Sequence, residues 1–279
     1  MLIEIIKFII YSALIVLISK YILVTTLRKL AESLKLKAKT VGNIAGFATS
    51  IPELLTIVTS SLRGLSGASV YNIISSNIIN FIQYIGAIFL NKNFDKMKNK
   101  AIIIDLILVI LTIIIPIILL KLNIELNFVI VPIFIILYIL FRVINDNVHK
   151  LYLKKEDKKI EEEIELEEKN ESKNKLKTIK YIIYLVITGV LLYFVGDKLG
   201  NTLENLCRLF NISEAIIGIL LGFITSIPEL MTFFESQKHY KKEDDILGVV
   251  EATNNLLTSN ILNLFVIQTI GILILSFIK

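Results

Sequence analysis

Residues 46–54 read Gly46-Phe47-Ala48-Thr49-Ser50-Ile51-Pro52-Glu53-Leu54, and residues 222–230 read Gly222-Phe223-Ile224-Thr225-Ser226-Ile227-Pro228-Glu229-Leu230. Eight of these nine positions are identical, at a shift of 176 residues from Gly46 to Gly222. A second pair follows. Asn72-Ile73-Ile74-Ser75-Ser76-Asn77-Ile78-Ile79-Asn80 is matched by Asn255-Leu256-Leu257-Thr258-Ser259-Asn260-Ile261-Leu262-Asn263. Unrelated apolar helices coincide at Leu and Ile, not at Thr-Ser-x-Pro-Glu and Ser-Asn-x-x-Asn, so the chain carries an internal repeat. Glu53 precedes Asn77 by 24 residues and Glu229 precedes Asn260 by 31, which gives the second copy a longer connector from Gln237 to Asp245.

The sequence around the repeat identifies its solvent. Of 279 residues 54% are hydrophobic, and the mean hydropathy is +0.72. A soluble domain is about 45–50% apolar and lacks long uncharged runs. Here runs near or above the roughly 18-residue threshold for a spanning helix recur. They lie at Ile3–Leu27, Val41–Leu62, Ala68–Leu90, Ala101–Leu120, Ile124–Phe141, Ile179–Leu199, Ile212–Phe234 and Gly248–Ile278. The expected fold class is all-α, a polytopic membrane bundle of about eight spans. The last run is read as one tilted helix. An ordinary soluble enzyme, a disordered chain and a disulfide scaffold are excluded, and the single Cys207 cannot pair within the chain. The first run is too long for a signal-peptide core and lacks a small-residue cleavage site, so it reads as a mature span.

Lys and Arg set the orientation. The loops after runs one, three, five and seven, with Lys180 at the start of run six, carry 23 of them, including Arg28, Lys29, Lys92, Lys96, Lys154, Lys155 and Lys238; the opposite face carries five, Arg63, Lys121, Lys198, Arg208 and Lys279. The first face is therefore expected in the cytoplasm of a cell with an inner membrane, with both termini outside. The net charge of +5 sits between apolar runs, so it describes loop topology and not a nucleic-acid partner. The chain divides into a first membrane half, 1–141, holding repeat one (41–90); a charged cytoplasmic loop, 142–178; and a shortened second half, 179–279, holding repeat two (212–278). The loop contains Lys154-Lys155-Glu156-Asp157-Lys158-Lys159 and Glu161-Glu162-Glu163 and reads as a solvated connector, partly helical through Glu/Lys pairs four apart.

Runs two and seven start on opposite faces, so the two copies cross in opposite directions. Inverted repeats place a binding site near the midplane, at the repeat interface, and permit alternating access around it. An intramembrane carboxylate is costly and marks function by default. Glu53 and Glu229 lie mid-span, each after a proline, and Pro52 and Pro228 are two of only four prolines. Proline removes a helical hydrogen bond, which turns the carbonyls of Ala48 and Ile224 or their neighbours toward a cavity. Thr49 and Ser50 precede Glu53 on one helical face, as Thr225 and Ser226 precede Glu229. Ser76, Asn77 and Asn80, and in the second copy Ser259, Asn260 and Asn263, form polar stripes. Such residues also glue helices together.

Two carboxylates, several hydroxyls and amide oxygens, and freed carbonyls suit a hard cation. Ca²⁺ takes six to eight oxygen ligands, two Glu charges balance it, and Na⁺ or protons compete for the same oxygens. His149 and His239 are expected in loops, which argues against zinc or copper. Glu235 and Glu251 are expected at the interface; Asp105 has no counterpart in the other half. Glu4, Lys7 and Lys20 lie near span ends and snorkel. No covalent chemistry and no resident cofactor are implied; the partners are membrane lipid and the transported Ca²⁺, Na⁺ or H⁺.

At Gly46-Phe47-Ala48-Thr49-Ser50-Ile51-Pro52-Glu53 and its copy the chain resembles the calcium/cation antiporter superfamily, in particular the sodium/calcium exchanger membrane domain. The resemblance covers both repeats and, more loosely, the membrane region. It implies that Glu53 and Glu229 are the central Ca²⁺ ligands, that Thr49, Ser50, Thr225 and Ser226 supply Na⁺ and Ca²⁺ oxygens, and that Asn77 and Asn260 complete the site. The activity implied is exchange of Ca²⁺ for Na⁺ or H⁺ by alternating access. The family glycines before Ser-Asn are Ser75 and Thr258 here, and the earlier Gly-Asn is Tyr71-Asn72 and Asn254-Asn255. Some exchangers carry Asp where Asn260 stands, so one charge fewer is implied. The family usually has ten spans, five per half, whereas three follow the charged loop here. A compact or homodimer-completed exchanger, a cation channel, and a transport-inactive homologue with a structural or sensing role are the readings that remain.

Overall fold

Apolar side chains face outward in this protein and polar ones inward, the reverse of a soluble domain. Ile3, Ile136, Val186 and Phe194 are exposed, while Thr49, Ser50, Glu53, Asn77, Ser226, Glu229, Ser259 and Asn260 are buried. Lipid tails solvate the first set, and only the protein can satisfy the second. The structure is a computed structural model that describes residues 2–34, 38–122, 124, 126–152, 174–211, 213–239 and 246–278. The charged run from Lys154 to Glu163 and residues 240–245 of the second copy's connector lie outside them.

Eight helical runs are long and apolar enough to cross a membrane: Leu2–Leu27, Ala38–Leu62, Ser66–Leu90, Lys100–Lys121, Phe128–Tyr152, Thr178–Phe210, Glu214–Lys238 and Leu247–Ile278. The protein is a multi-pass membrane bundle, all-α as its sequence predicts. The first span holds α1 (Leu2–Ile18), a π turn (Ser19–Val24) and the start of α2 (Thr25–Ser33). The second is broken into α3 (Ala38–Thr49) and α4 (Ile51–Leu62); α5 (Ser66–Leu90), α6 (Lys100–Lys121), α7 (Val131–Tyr152) and α8 (Asn174–Phe210) follow. The seventh is broken into α9 (Glu214–Thr225) and α10 (Ile227–His239). The eighth is continuous, as expected, but a π turn (Leu262–Ile267) separates α11 (Leu247–Ile261) from α12 (Gln268–Ile278). Four crossings lie between the second span and the seventh, so the two copies thread the bundle oppositely.

Two spans depart from the apolar boundaries. The fifth, expected to end at Phe141, runs to Tyr152, and the sixth, expected to end at Leu199, runs to Phe210. In both the extension carries polar groups with partners. On α8, Glu204 in the extension and Asp197 just before it meet Arg63 at the end of α4, at 3.5 and 3.3 Å. On α7, Asn145 and His149 reach Asp105 of α6 at 2.8 and 2.6 Å. His149 is therefore in a helix and buried, not in a loop. The apolar count missed this because a buried polar pair extends a helix as well as an apolar turn does. His239 likewise ends α10.

The halves are knitted crosswise. Along α3 runs Gly42-x-x-x-Gly46 and along α9 runs Gly218-x-x-x-Gly222. A Cβ on Gly46 would stand 2.6 Å from the carbonyl oxygen of Asn255 on α11, and a Cβ on Gly218 would stand 2.6 Å from that of Ala68 on α5. Hence α3 lies against α11 and α9 against α5, backbone to backbone. Small residues permit that approach in lipid. The pair α6–α7 covers the eighth span, where Phe265 meets Phe134 and Phe141 edge to face, with ring centroids 5.7 and 5.1 Å apart. A separate apolar cluster joins Ile15 of α1 to Leu192, Leu199 and Leu203 of α8.

Candidate cation site

The two helix breaks are built alike. Ser50 has φ −81° and ψ −1°, and Ser226 has φ −79° and ψ −2°. Pro52 and Pro228 lack the N–H that would bond the carbonyls of Ala48 and Ile224, so an interrupted helix is the local outcome of each motif. The ladder holds on either side of the break through Ser50 N–H to Gly46 O at 3.2 Å and Leu54 N–H to Ser50 O at 3.0 Å, and through Ser226 N–H to Gly222 O at 3.2 Å and Leu230 N–H to Ser226 O at 3.4 Å. Each break sets a helix C-terminus, with carbonyls free to face a cation, beside a helix N-terminus. Glu53 and Glu229 occupy the first turns of α4 and α10, where the helix dipole favours an anion.

Both carboxyl groups are wholly inaccessible to solvent, at 0% exposure. Neither oxygen of Glu53, nor Oε2 of Glu229, has a hydrogen-bond partner. Ser259 Oγ donates to Glu229 Oε1 at 3.0 Å. Each acid is faced by one hydroxyl of its own repeat and one of the other: Ser76 and Thr225 for Glu53, Ser259 and Thr49 for Glu229. Ser76 and Ser259 are equivalent in the repeat, as are Thr49 and Thr225. The hydroxyls also touch one another. Ser50 Oγ is 2.9 Å from Ser259 Oγ, and Ser76 Oγ is 3.5 Å from Thr225 Oγ1. Ser50 and Ser226 each donate to a carbonyl of their own helix, Gly46 O at 2.9 Å and Gly222 O at 2.7 Å.

Asn77 and Asn260 bind each other. Asn77 Nδ2 donates to Asn260 O and Asn260 Nδ2 to Asn77 O, both at 3.2 Å. Their side-chain oxygens accept from Asn263 Nδ2 at 3.1 Å and Asn80 Nδ2 at 3.2 Å. A pseudo-two-fold axis passes between the pair. Of the eight residues that the sequence singles out, Thr49, Ser50, Glu53, Thr225, Ser226 and Glu229 gather at the two breaks, and Asn77 and Asn260 join the helices beside them.

A second ring of residues, to which the motif alone gave no role, holds the acids in place. Thr56 and Thr232 donate to the carbonyls of Glu53 and Glu229, each at 2.8 Å. Asn72 Nδ2 donates to Thr56 Oγ1 at 2.7 Å, and Asn255 Nδ2 donates to Thr232 Oγ1. Their signal was present, since each threonine follows its Glu by three residues in both copies. Glu251 differs from its expectation. It is 2% exposed and accepts from Ser236 Oγ at 2.6 Å, because α11 is enclosed by α3 and α10 where a free span end would have met the interface.

All donors at the breaks are oxygens, and no group of three His, Cys, Asp or Glu side chains is poised for a metal among the described residues. A buried carboxylate with unpartnered oxygens is costly without a counter-charge. A hard cation answers that cost, and the donor set fits one.

The family model described as sodium/calcium exchanger protein matches residues 5–145 and 180–279. Two solved structures of the sodium-calcium exchanger NCX_Mj share the fold. One, soaked with 10 mM Na⁺ and zero Ca²⁺, has a TM-score of 0.56 at 21% identity over 98% of this chain and 84% of that one. The other, soaked with 100 mM Na⁺ and 10 mM Sr²⁺, has a TM-score of 0.57 at 20% identity over 98% of this chain and 83% of that one. Among curated proteins none matches. A broken-helix repeat present twice in opposite threading, an oxygen-lined pair of buried acids, and a family match across both membrane halves lead to one statement: the chain belongs to the sodium/calcium exchanger family, a family of cation exchangers and not of enzymes.

Proposed function

We propose that the protein exchanges Ca²⁺ for Na⁺ or H⁺ across the cell membrane by alternating access. The observation that carries this reading is that the hydroxyls around the two buried acids meet across the repeats, Ser50 with Ser259 beside Glu229 and Ser76 with Thr225 beside Glu53. Each acid depends on both halves, so a rocking of one half against the other dismantles and rebuilds the site. Glu53 and Glu229 supply the two negative charges that balance one Ca²⁺. Thr49, Ser50, Thr225 and Ser226, with the carbonyls opened by Pro52 and Pro228, complete the oxygen shell. Two Na⁺, or two protons, satisfy the same charges, which couples the ions through shared ligands.

Asn77 and Asn260 join the two second helices beside the breaks and complete the site from there. The division into halves 1–141 and 179–279, with a charged cytoplasmic connector 142–178, and the placement of both termini outside rest on the Lys and Arg asymmetry. Transport calls for no cofactor beyond the exchanged ions.

The experiment is uptake of radiolabelled Ca²⁺ into proteoliposomes under an imposed Na⁺ gradient, an imposed pH gradient, or neither. An exchanger takes up Ca²⁺ only against a counter-ion gradient. Uptake without any counter-ion identifies a channel instead. Binding without uptake under every gradient identifies a transport-inactive homologue.

A further inference from the structure

In the sequence Arg142 begins the charged stretch, yet the structure places it in the middle of α7 (Val131–Tyr152). Ile139, Leu140 and Val143 around it are exposed and apolar, and Phe141 packs on Phe265, so this turn of the helix faces lipid tails. An ionisable side chain at such a depth is costly and marks function by default. Among the described residues its guanidinium bonds neutral groups only. Arg142 Nη1 donates to Thr258 Oγ1 at 3.1 Å and to Asn43 Oδ1 at 3.4 Å, and Thr258 Oγ1 donates to the same Asn43 oxygen at 2.8 Å.

The acids of the surrounding helices are engaged elsewhere. Asp146 takes Lys39 Nζ at 2.7 Å, Asp105 takes His149 at 2.6 Å and Asn145 at 2.8 Å, and Glu251 accepts from Ser236 at 2.6 Å. The anchor of Arg142 is the wall of the central site. Thr258 is followed in the chain by Ser259, which donates to Glu229 Oε1 at 3.0 Å and meets Ser50 Oγ at 2.9 Å. Across the α3–α11 seam a Cβ on Gly46 would stand 2.9 Å from Thr258 Cβ, and Gly46 O receives the Ser50 hydroxyl at 2.9 Å. One step along α11 thus leads from a fixed positive charge to the shell of Glu229. The first repeat has no such neighbour. The positions equivalent to Thr258 and Asn43 are Ser75 and Ile219, and Ser75 Oγ donates to the carbonyls of Tyr71 and Asn72 at 2.8 and 3.0 Å.

We propose that Arg142 is a selectivity-determining residue of the cation site, a fixed positive charge that weakens cation binding and weakens it more for a divalent ion than for a monovalent one. It deepens the exchanger reading and rests on it for the position of the ion. Arg142 touches no ion and acts through the field it casts across Thr258 and Ser259. An arginine keeps its proton at every working pH, so the field is permanent, and salt screens it weakly away from the surface. Coulombic work scales with the charge of the bound ion. The penalty in free energy on one Ca²⁺ is therefore twice that on one Na⁺, and as a factor in affinity it is the square. Two Na⁺ together bear the same penalty as one Ca²⁺, so the exchange equilibrium is untouched. What Arg142 sets is how firmly the two carboxylates hold each single ion, and hence how readily Ca²⁺ leaves them.

The test is equilibrium binding of radiolabelled Ca²⁺ and, in a second arm, radiolabelled Na⁺ to the purified full chain in detergent at fixed ionic strength. The wild type is compared with Arg142→Gln and Arg142→Lys. Glutamine keeps an amide donor for Thr258 and Asn43 and removes the charge; lysine keeps the charge. Arg142→Gln is expected to tighten Ca²⁺ binding by about tenfold and Na⁺ binding by about threefold, the square root of the first factor. Arg142→Lys is expected to bind both ions as the wild type does. A purely structural role predicts the opposite sign, since a loosened α3–α11 seam weakens both ions. Elution as a monodisperse peak checks folding, and Arg142→Met, neutral and suited to lipid, is a second uncharged variant with the same expectation. Unchanged or weaker Ca²⁺ binding in the folded neutral variants, an equal gain for the two ions, or the same gain in Arg142→Lys overturns the proposal. Failure of the exchanger reading has a different signature, a tight class that survives in Glu53→Gln/Glu229→Gln.

Discussion

Asn77 and Asn260 each donate a hydrogen bond to the other's backbone carbonyl at 3.2 Å. The symmetry of the two repeats thus closes in a single reciprocal contact between α5 and α11. Removing one amide takes a donor from the opposite carbonyl and an acceptor from the neighbouring Asn263 or Asn80 amide. Asn77→Ala and Asn260→Ala are therefore expected to destabilise the protein by about 1–3 kcal/mol each and to impair the site equally. Thermal unfolding in detergent and Ca²⁺ binding on the same samples measure both.

The prolines are expected to act through carbonyls. Pro52→Ala or Pro228→Ala supplies an N–H that can bond Ala48 O or Ile224 O and so withdraws an oxygen from the cavity. Loss of one strong oxygen contact corresponds to about 1.5–3 kcal/mol, a fall in cation affinity of roughly tenfold to 100-fold. Folding is expected to be retained, since the substitution removes a helix breaker. Titration of Ca²⁺ binding in the two variants checks the size and the equality of the effect.

Close approach at Gly46 and Gly222 leaves no room for a side chain. Gly46→Ala and Gly222→Ala are each expected to cost about 1–3 kcal/mol through overpacking. Gly86→Ala, at a position where a Cβ meets nothing within 4 Å, is expected to be neutral. Unfolding temperatures of the three variants provide the comparison.

The Asp105–His149 contact anchors α6 to α7, and Asn145 ties both to Asn254 at 3.3 Å. Asp105→Ala takes the carboxylate from buried His149 and leaves Asn145 only its contact with Asn254. A loss of about 1.5–3 kcal/mol is expected, with Ca²⁺ affinity preserved in the folded fraction, because none of these residues belongs to the breaks. Combined unfolding and binding measurements separate the two effects.

Much of this architecture is legible in the sequence because lipid makes polar residues conspicuous. Glu53, Pro52 and their copies stand out against Ile and Leu, and the alternation of basic loops fixes the number of crossings. The span ends at Tyr152 and Phe210 were less legible, since Asn145, His149 and Glu204 look like loop residues until Asp105 and Arg63 are seen to partner them. Glu251 was misplaced for a similar reason: its burial comes from α3 and α10, elements distant in sequence. The crosswise assembly was hidden altogether. Gly42 and Gly46 are an ordinary small-residue stripe until α11 is placed against them, and the motif does not say that one of the hydroxyls facing Glu53, that of Thr225, belongs to the other copy.

The most direct measurement of the central claim is Ca²⁺ binding to the purified protein with Glu53→Gln and Glu229→Gln as single variants. A site shared between the repeats predicts that either substitution alone eliminates the tight class, with the protein still folded and monodisperse. Tight binding of wild-type strength in either single variant would contradict a site built jointly from the two acids.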